Sequence, residues 1–161
     1  MTTRRSRFSA GAWLLVLTAC SSGRASTDAV VLGRDPGMPT GAAAVVDRTD
    51  GLRRWPDDRI DITAAAIEGD SLRLSVQYGG GCAEHRIALV FGDTWMESYP
   101  VQVSALLSHD ANGDNCRALF TGRIAFSLVP LRDDRRRAYR TDSGAVAFTL
   151  RPSTTRLVYR F

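Results

Sequence analysis

Both histidines of the chain and two of its three cysteines fall in two short stretches. Gly79-Gly80-Gly81-Cys82-Ala83-Glu84-His85 sets Cys before His, and His109-Asp110-Ala111-Asn112-Gly113-Asp114-Asn115-Cys116 sets His before Cys. Three chemistries fit these residue types. Two thiols in an oxidising compartment form a disulfide. Alternatively, Cys82, His85, His109 and Cys116 could supply thiolates and imidazoles to a tetrahedral zinc or copper ion. The arm from His109 to Cys116 is long for such a site, and thiolates oxidise outside the cytoplasm. A mixed arrangement keeps the disulfide and leaves His85 and His109, with Glu84 or Asp110, to hold a metal by nitrogen and oxygen. The bland alternative is that each imidazole braces a turn through its hydrogen bonds.

The elements that must position these residues follow a period of two. Leu72, Leu74, Val76 and Tyr78 alternate with Arg73, Ser75 and Gln77. The rhythm returns at His85, Ile87, Leu89 and Phe91, at Val101 to Leu107, at Ile124 to Leu128, at Val146 to Leu150 and at Leu157 to Phe161. Alternation means one face buried and one solvated, as in antiparallel strands. Turn residues separate the runs at Gly79 to Gly81, Gly92-Asp93, Asn112 to Asp114 and Asp142 to Gly144. The expectation is an all-β, antiparallel β-sandwich or barrel-like domain. Asp61 to Glu68 is the one stretch that reads equally as helix or strand. Arg132 to Arg137, mixed in sign, reads as a solvated loop, with contact to an anionic lipid or polysaccharide as its functional alternative. Trp55, Trp95, Tyr99 and Tyr139 read as core or rim aromatics rather than as a sugar platform.

The N-terminus speaks to compartment. Arg4, Arg5 and Arg7 precede an apolar run from Phe8 to Leu17, shorter than the roughly 20 residues that span a bilayer. This is the pattern of a signal peptide over residues 1–19. Leu17-Thr18-Ala19-Cys20 resembles the bacterial lipobox, in which the Cys becomes the lipidated first residue of the mature chain. That resemblance implies lipidation at Cys20 and a place in the cell envelope. Ser21, rather than Asp, after the Cys implies the outer membrane in a Gram-negative cell. Residues 20–51 are rich in small, polar and breaker residues and read as a flexible tether, although Val30-Val31-Leu32 and Ala42 to Val46 could pair as edge strands. A single β domain is expected over 52–161.

With Cys20 used by lipid, Cys82 and Cys116 remain as one pair, and the disulfide becomes the first reading. Charge agrees with export. The chain has 21 basic and 17 acidic residues, but without Arg4, Arg5 and Arg7 the balance is 18 to 17. No basic face remains that would call for a nucleic-acid partner. Every basic residue is Arg, which GC-rich coding explains without a phosphate-binding role.

Two further patterns resemble known sites. Asp110-Ala111-Asn112-Gly113-Asp114 is similar to the start of a dockerin or EF-hand calcium loop, with Asp110, Asn112 and Asp114 as oxygen ligands. The loop then wants Gly and a carboxylate where this chain has Asn115 and Thr121, and an Asx-stabilised turn uses the same letters. Gly69-Asp70-Ser71-Leu72 resembles the GDSL hydrolase signature. Here Ser71 leads into an alternating strand, and no His lies beyond residue 109. No catalytic residue is therefore assigned, and the protein is expected not to be an enzyme. From Tyr78 to Cys116 the body resembles a group of small exported bacterial proteins of unassigned activity, with similarity over roughly residues 70–131. The expectation is a lipid-anchored envelope module, structural or binding, with an envelope protein or small ligand as partner and no cofactor. The alternative is a metal-binding lipoprotein holding zinc, copper or calcium at His85 and His109.

Overall fold

The structure is a computed structural model and describes residues 30–32, 42–49 and 51–161. The leader, Cys20 and the rest of the expected tether lie outside the described residues. In chain order the elements are β1 (Val30–Leu32), β2 (Ala42–Ala43), β3 (Val45–Asp47), a short 3-10 helix at Gly51–Arg54, β4 (Asp61–Glu68), β5 (Ser71–Gly80), β6 (His85–Gly92), β7 (Val101–Asp110), β8 (Ala118–Ser127), α1 (Val129–Tyr139), β9 (Ala145–Arg151) and β10 (Arg156–Arg160).

Two sheets pack face to face as a sandwich, as the alternation predicts. One runs β1-β6-β7-β9-β10, with β3 also against β6; the other runs β2-β8-β5-β4. The sheets are mixed rather than purely antiparallel. β7 pairs with β9 in parallel, as do β3 with β6 and β2 with β8. The β7–β9 pairing arises because β8 and α1 intervene, and β8 joins the opposite sheet. Period-two patterning reports which side chains are buried but not strand direction, so the parallel pairs were invisible in it.

The inward rows are those the sequence marked. Leu72, Leu74 and Val76 of β5, Ile87, Leu89 and Phe91 of β6, Val103 and Leu107 of β7, and Phe126, Phe148 and Tyr159 form the core. Phe91 and Phe148 meet edge to face at 5.1 Å. Alternation breaks in the centre of β6 and β7, where Ala88, Val90, Leu106 and Ser108 on the other face are buried too. The 3-10 helix packs on β6, and the chain after it crosses β7, where Ser108 Oγ donates to the Pro56 carbonyl at 2.7 Å.

One reading changes, and two that the sequence left open resolve. Asp61–Glu68 is a strand, paired antiparallel with β5 and bulged between Ile62 and Ala64. The charged run expected as a loop lies inside α1. Pro130 occupies its first turn, where a missing N–H costs nothing, and Arg140 ends the helix in the left-handed conformation. Only Leu131 and Asp134 of α1 are buried, so the helix carries too thin an apolar stripe to be legible. Asp134 is satisfied by Arg48 and Arg137. Finally, residues 42–47, grouped with the tether by composition, pair with both sheets. Asp47 is buried and accepts from Thr49 N and Oγ1, from Arg54 Nε at 3.0 Å and from Trp55 Nε1 at 2.7 Å. Those bonds hold its pKa well below the ordinary carboxylate range, against the opposing effect of burial.

Candidate functional site

The two motifs meet at one end of the sandwich. His85 opens β6 in phase with Ile87 and Leu89, and His109 closes β7 in phase with Val103 and Leu107. Both rings therefore point between the sheets, where they are 2% and 1% exposed. Tyr78, the last inward side chain of β5, packs against both rings at 5.0 and 5.2 Å. The Gly79 to Gly81 turn and the loop after β7 are joined by the Cys82–Cys116 disulfide, with a Cα–Cα distance of 5.9 Å. The pairing expected from cysteine parity is thus present.

Asp114 organises the site. Its Oδ2 accepts from the amides of Gly81, Cys82 and Ala83 at 2.7 to 2.8 Å and lies 3.2 Å from His85 Nε2. Its Oδ1 accepts from the Cys116 amide at 2.8 Å. The side chain has no exposed surface. The Cys116 and Ala83 amides lead the interactions that keep its carboxyl well below the usual range. One carboxylate thereby saturates both disulfide-bearing loops.

Gly80 is required by this arrangement. Its φ is +149°, and a Cβ there would fall 2.5 Å from His85 Nε2 and 3.0 Å from Asp114 Oδ2. The imidazole and carboxylate lie against bare backbone that no other residue could present.

A chain of polar contacts runs inward from Asp114. His85 Nδ1 lies 2.8 Å from His109 Nε2. His109 Nδ1 lies 3.3 and 3.1 Å from the carbonyls of Asp58 and Arg59. Carbonyl and carboxylate only accept, so the outer nitrogens of both rings must donate. The contact between the rings needs a third hydrogen. Two neutral imidazoles carry only two, so with both rings neutral one of these contacts goes without a hydrogen. Burial, then the neighbouring His85, push the His109 pKa down, which favours its neutral form.

These positions bear on the metal readings. Among the described residues, the metal-ligand types that converge are Cys82, Asp114 and Cys116, and the two sulfurs are bonded to each other. His85 and His109 are adjacent, but each spends a nitrogen on the other. Asp110 accepts from the Asn112 amide at 2.9 Å, Asn112 is left-handed with φ 51°, and the Ala111 amide donates to Asp58. This is an Asx turn. The structure therefore separates the calcium-type residues, since Asp110 caps its own loop and Asp114 turns inward. Glu84 is exposed and takes no part in the cluster. Ser71 begins β5, opposite Glu68 and Ser127, with neither histidine in contact. Asp70 accepts instead from Tyr159 and Arg132, a bracket between the β4–β5 turn and the sandwich edge.

Sequence reasoning missed Tyr78 as a wall of the site and the Asp58 and Arg59 carbonyls as its floor. Tyr78 carried a signal, being in phase with Val76. The carbonyls carried none, because backbone acceptors have no letter.

No family model and no curated protein sequence matches the chain. Solved structures do. A NigD-like immunity protein from Bacteroides caccae ATCC 43185 superposes with a TM-score of 0.53 at 16% identity, over 73% of this chain and 58% of that one. A candidate lipoprotein from Bacteroides fragilis NCTC 9343 matches with a TM-score of 0.47 at 11% identity, over 74% of this chain and 69% of that one. A toxin-related protein from Parabacteroides distasonis ATCC 8503 gives 0.46 at 18% identity, over 74% and 61%. The chain spans about three-fifths of the length of the immunity protein and of the toxin-related protein. At these identities the likeness concerns the fold.

Proposed function

We propose that the chain is a lipid-anchored envelope module without catalytic activity, and that the Cys82–Cys116 end is an architectural clasp rather than a reactive centre. One observation carries this reading: both Asp114 oxygens and all four ring nitrogens of His85 and His109 are engaged within the protein. A metal would have to displace backbone amides from a buried carboxylate. The clasp shapes a rigid sandwich end, and the module's work lies on its surface, towards an envelope protein or small ligand. Export rests on the leader and on Leu17-Thr18-Ala19-Cys20, with the outer membrane as destination. The fold shared with a Bacteroides immunity protein is compatible with a protective envelope role but does not supply one.

The test has three readouts. Full-length chain expressed in a bacterium should fractionate with membranes and gain the mass of acyl chains at Cys20, and Cys20→Ser should lose both. Purified protein should hold no stoichiometric metal. Zinc, copper or calcium that disappears in a His85→Ala, His109→Ala double variant would overturn the clasp and favour the metal-binding alternative. Esterase turnover abolished by Ser71→Ala would overturn the non-enzymatic reading.

A further inference from the structure

We propose that a cleft at the C-terminal end of α1 binds an oxyanion, read by Arg135 and Arg160. The cleft measures about 670 Å³ and is lined by Tyr99, Pro100, Arg135, Ser143, Arg160 and Phe161 among others. That volume suits a small molecule or a headgroup. Two of its lining side chains are cationic and none is acidic.

The state of Arg135 is the central observation. Its guanidinium lies 3.4 Å over the Tyr139 ring. Tyr139 is itself fixed, since its hydroxyl donates to Glu97 and its ring meets Trp95 edge on. Nε and Nη1 of Arg135 are buried and have no hydrogen-bond partner. A buried donor left unmatched costs about 1–3 kcal/mol, so proteins seldom keep one without cause. Its helix neighbours contrast with it. Arg132 pairs with Asp70 and Asp133, Arg136 donates to the Asp142 carbonyl, and Arg137 pairs with Asp134. Among the described residues no carboxylate lies within ion-pair distance of Arg135 or Arg160.

A guanidinium already flattened on an aromatic ring loses little freedom when it binds, and with Nε and Nη1 buried it meets an oxyanion through its charge and Nη2. The lining also carries apolar and aromatic side chains. Tyr99 is fully exposed at 103%, beside Pro100 and Phe161, so a ligand with an apolar or ring-shaped part next to its anion fits best. The shared chemistry is a phosphate group, carried by a free metabolite or by a phospholipid headgroup.

The experiment uses the full chain, labelled with nitrogen-15 and held in a neutral maltoside. Sodium phosphate is titrated against sodium chloride of equal ionic strength, following arginine Nε–H resonances. Saturable shifts at Arg135 and Arg160 are expected with phosphate and not with chloride. Arg135→Gln and Arg160→Gln should each weaken binding about tenfold or more, the loss of one charge-assisted pair, while Arg59→Gln on the far loop changes nothing. Shifts that match chloride, or equal losses in Arg59→Gln, would overturn the proposal. A short-chain phosphatidylglycerol run in parallel separates the sources. Tighter binding than phosphate assigns a headgroup, and equal or weaker binding assigns a soluble ligand.

Discussion

Replacing Gly80 with Ala tests the clasp at its tightest contact. The new Cβ would lie 2.5 Å from His85 Nε2, 2.6 Å from His85 Cε1 and 3.0 Å from Asp114 Oδ2. Neither neighbour is a flexible tip. His85 is held through His109, and Asp114 by four backbone amides. Gly113 is the internal control, with φ +68° and open space around its Cβ position. Gly113→Ala carries only the conformational penalty, about 1 kcal/mol. Gly80→Ala adds overpacking of about 1–3 kcal/mol to a backbone region that only glycine readily visits. A total near 3–4 kcal/mol corresponds to a Tm lower by about 10–15 °C, against about 3–4 °C for the control. The assay is thermal unfolding by circular dichroism with the disulfide intact. His85→Ala clears the space, so in the double variant Gly80→Ala should cost about 1–2 kcal/mol less than alone. Equal Tm losses for Gly80→Ala and Gly113→Ala would refute the reasoning, because the loops would then yield to a methyl group.

Other outcomes follow from the same geometry. Cys82→Ser with Cys116→Ser opens a loop of 34 residues and should cost about 4 kcal/mol in urea denaturation; the four amides on Asp114 should nonetheless keep the domain folded. The His109 pKa is lowered from 6.5, so the unfolded chain takes up its proton first. Stability should therefore be full above 6.5 and fall with the pH as it drops through the lower folded value. Urea midpoints at pH 7.5, 6.0 and 5.0 should show this slope, and His109→Gln should flatten it. Asp47→Ala removes the acceptor of the Trp55 indole and the Thr49 amide and should cost about 1–3 kcal/mol, with a change in tryptophan emission.

Much of the fold could be read from the alternation of Leu72 to Tyr78, Ile87 to Phe91 and Val101 to Leu107, because each inward side chain announces itself by being apolar. His85 and His109 were also in phase with those rows, so their burial was legible. Their mutual contact was not. It depends on β6 and β7 pairing Ile87 with His109, a register set by long-range packing. α1 escaped because buried polar pairing of Asp134 substitutes for an apolar stripe, and the tether boundary blurred because Ala42–Asp47 gains its order from partners far along the chain.

The sequence by itself determined the all-β class, the inward rows, the turn positions and the pair of cysteines available to each other. Local letters suffice there, since side-chain periodicity and turn chemistry act over a few residues. Only the tertiary structure decided that two sheets are mixed, that Asp114 turns inward to hold four amides while Asp110 caps its own loop, and that Arg135 lies buried on Tyr139 without an acceptor. Those outcomes depend on backbone groups and distant partners meeting in space, which no local pattern encodes.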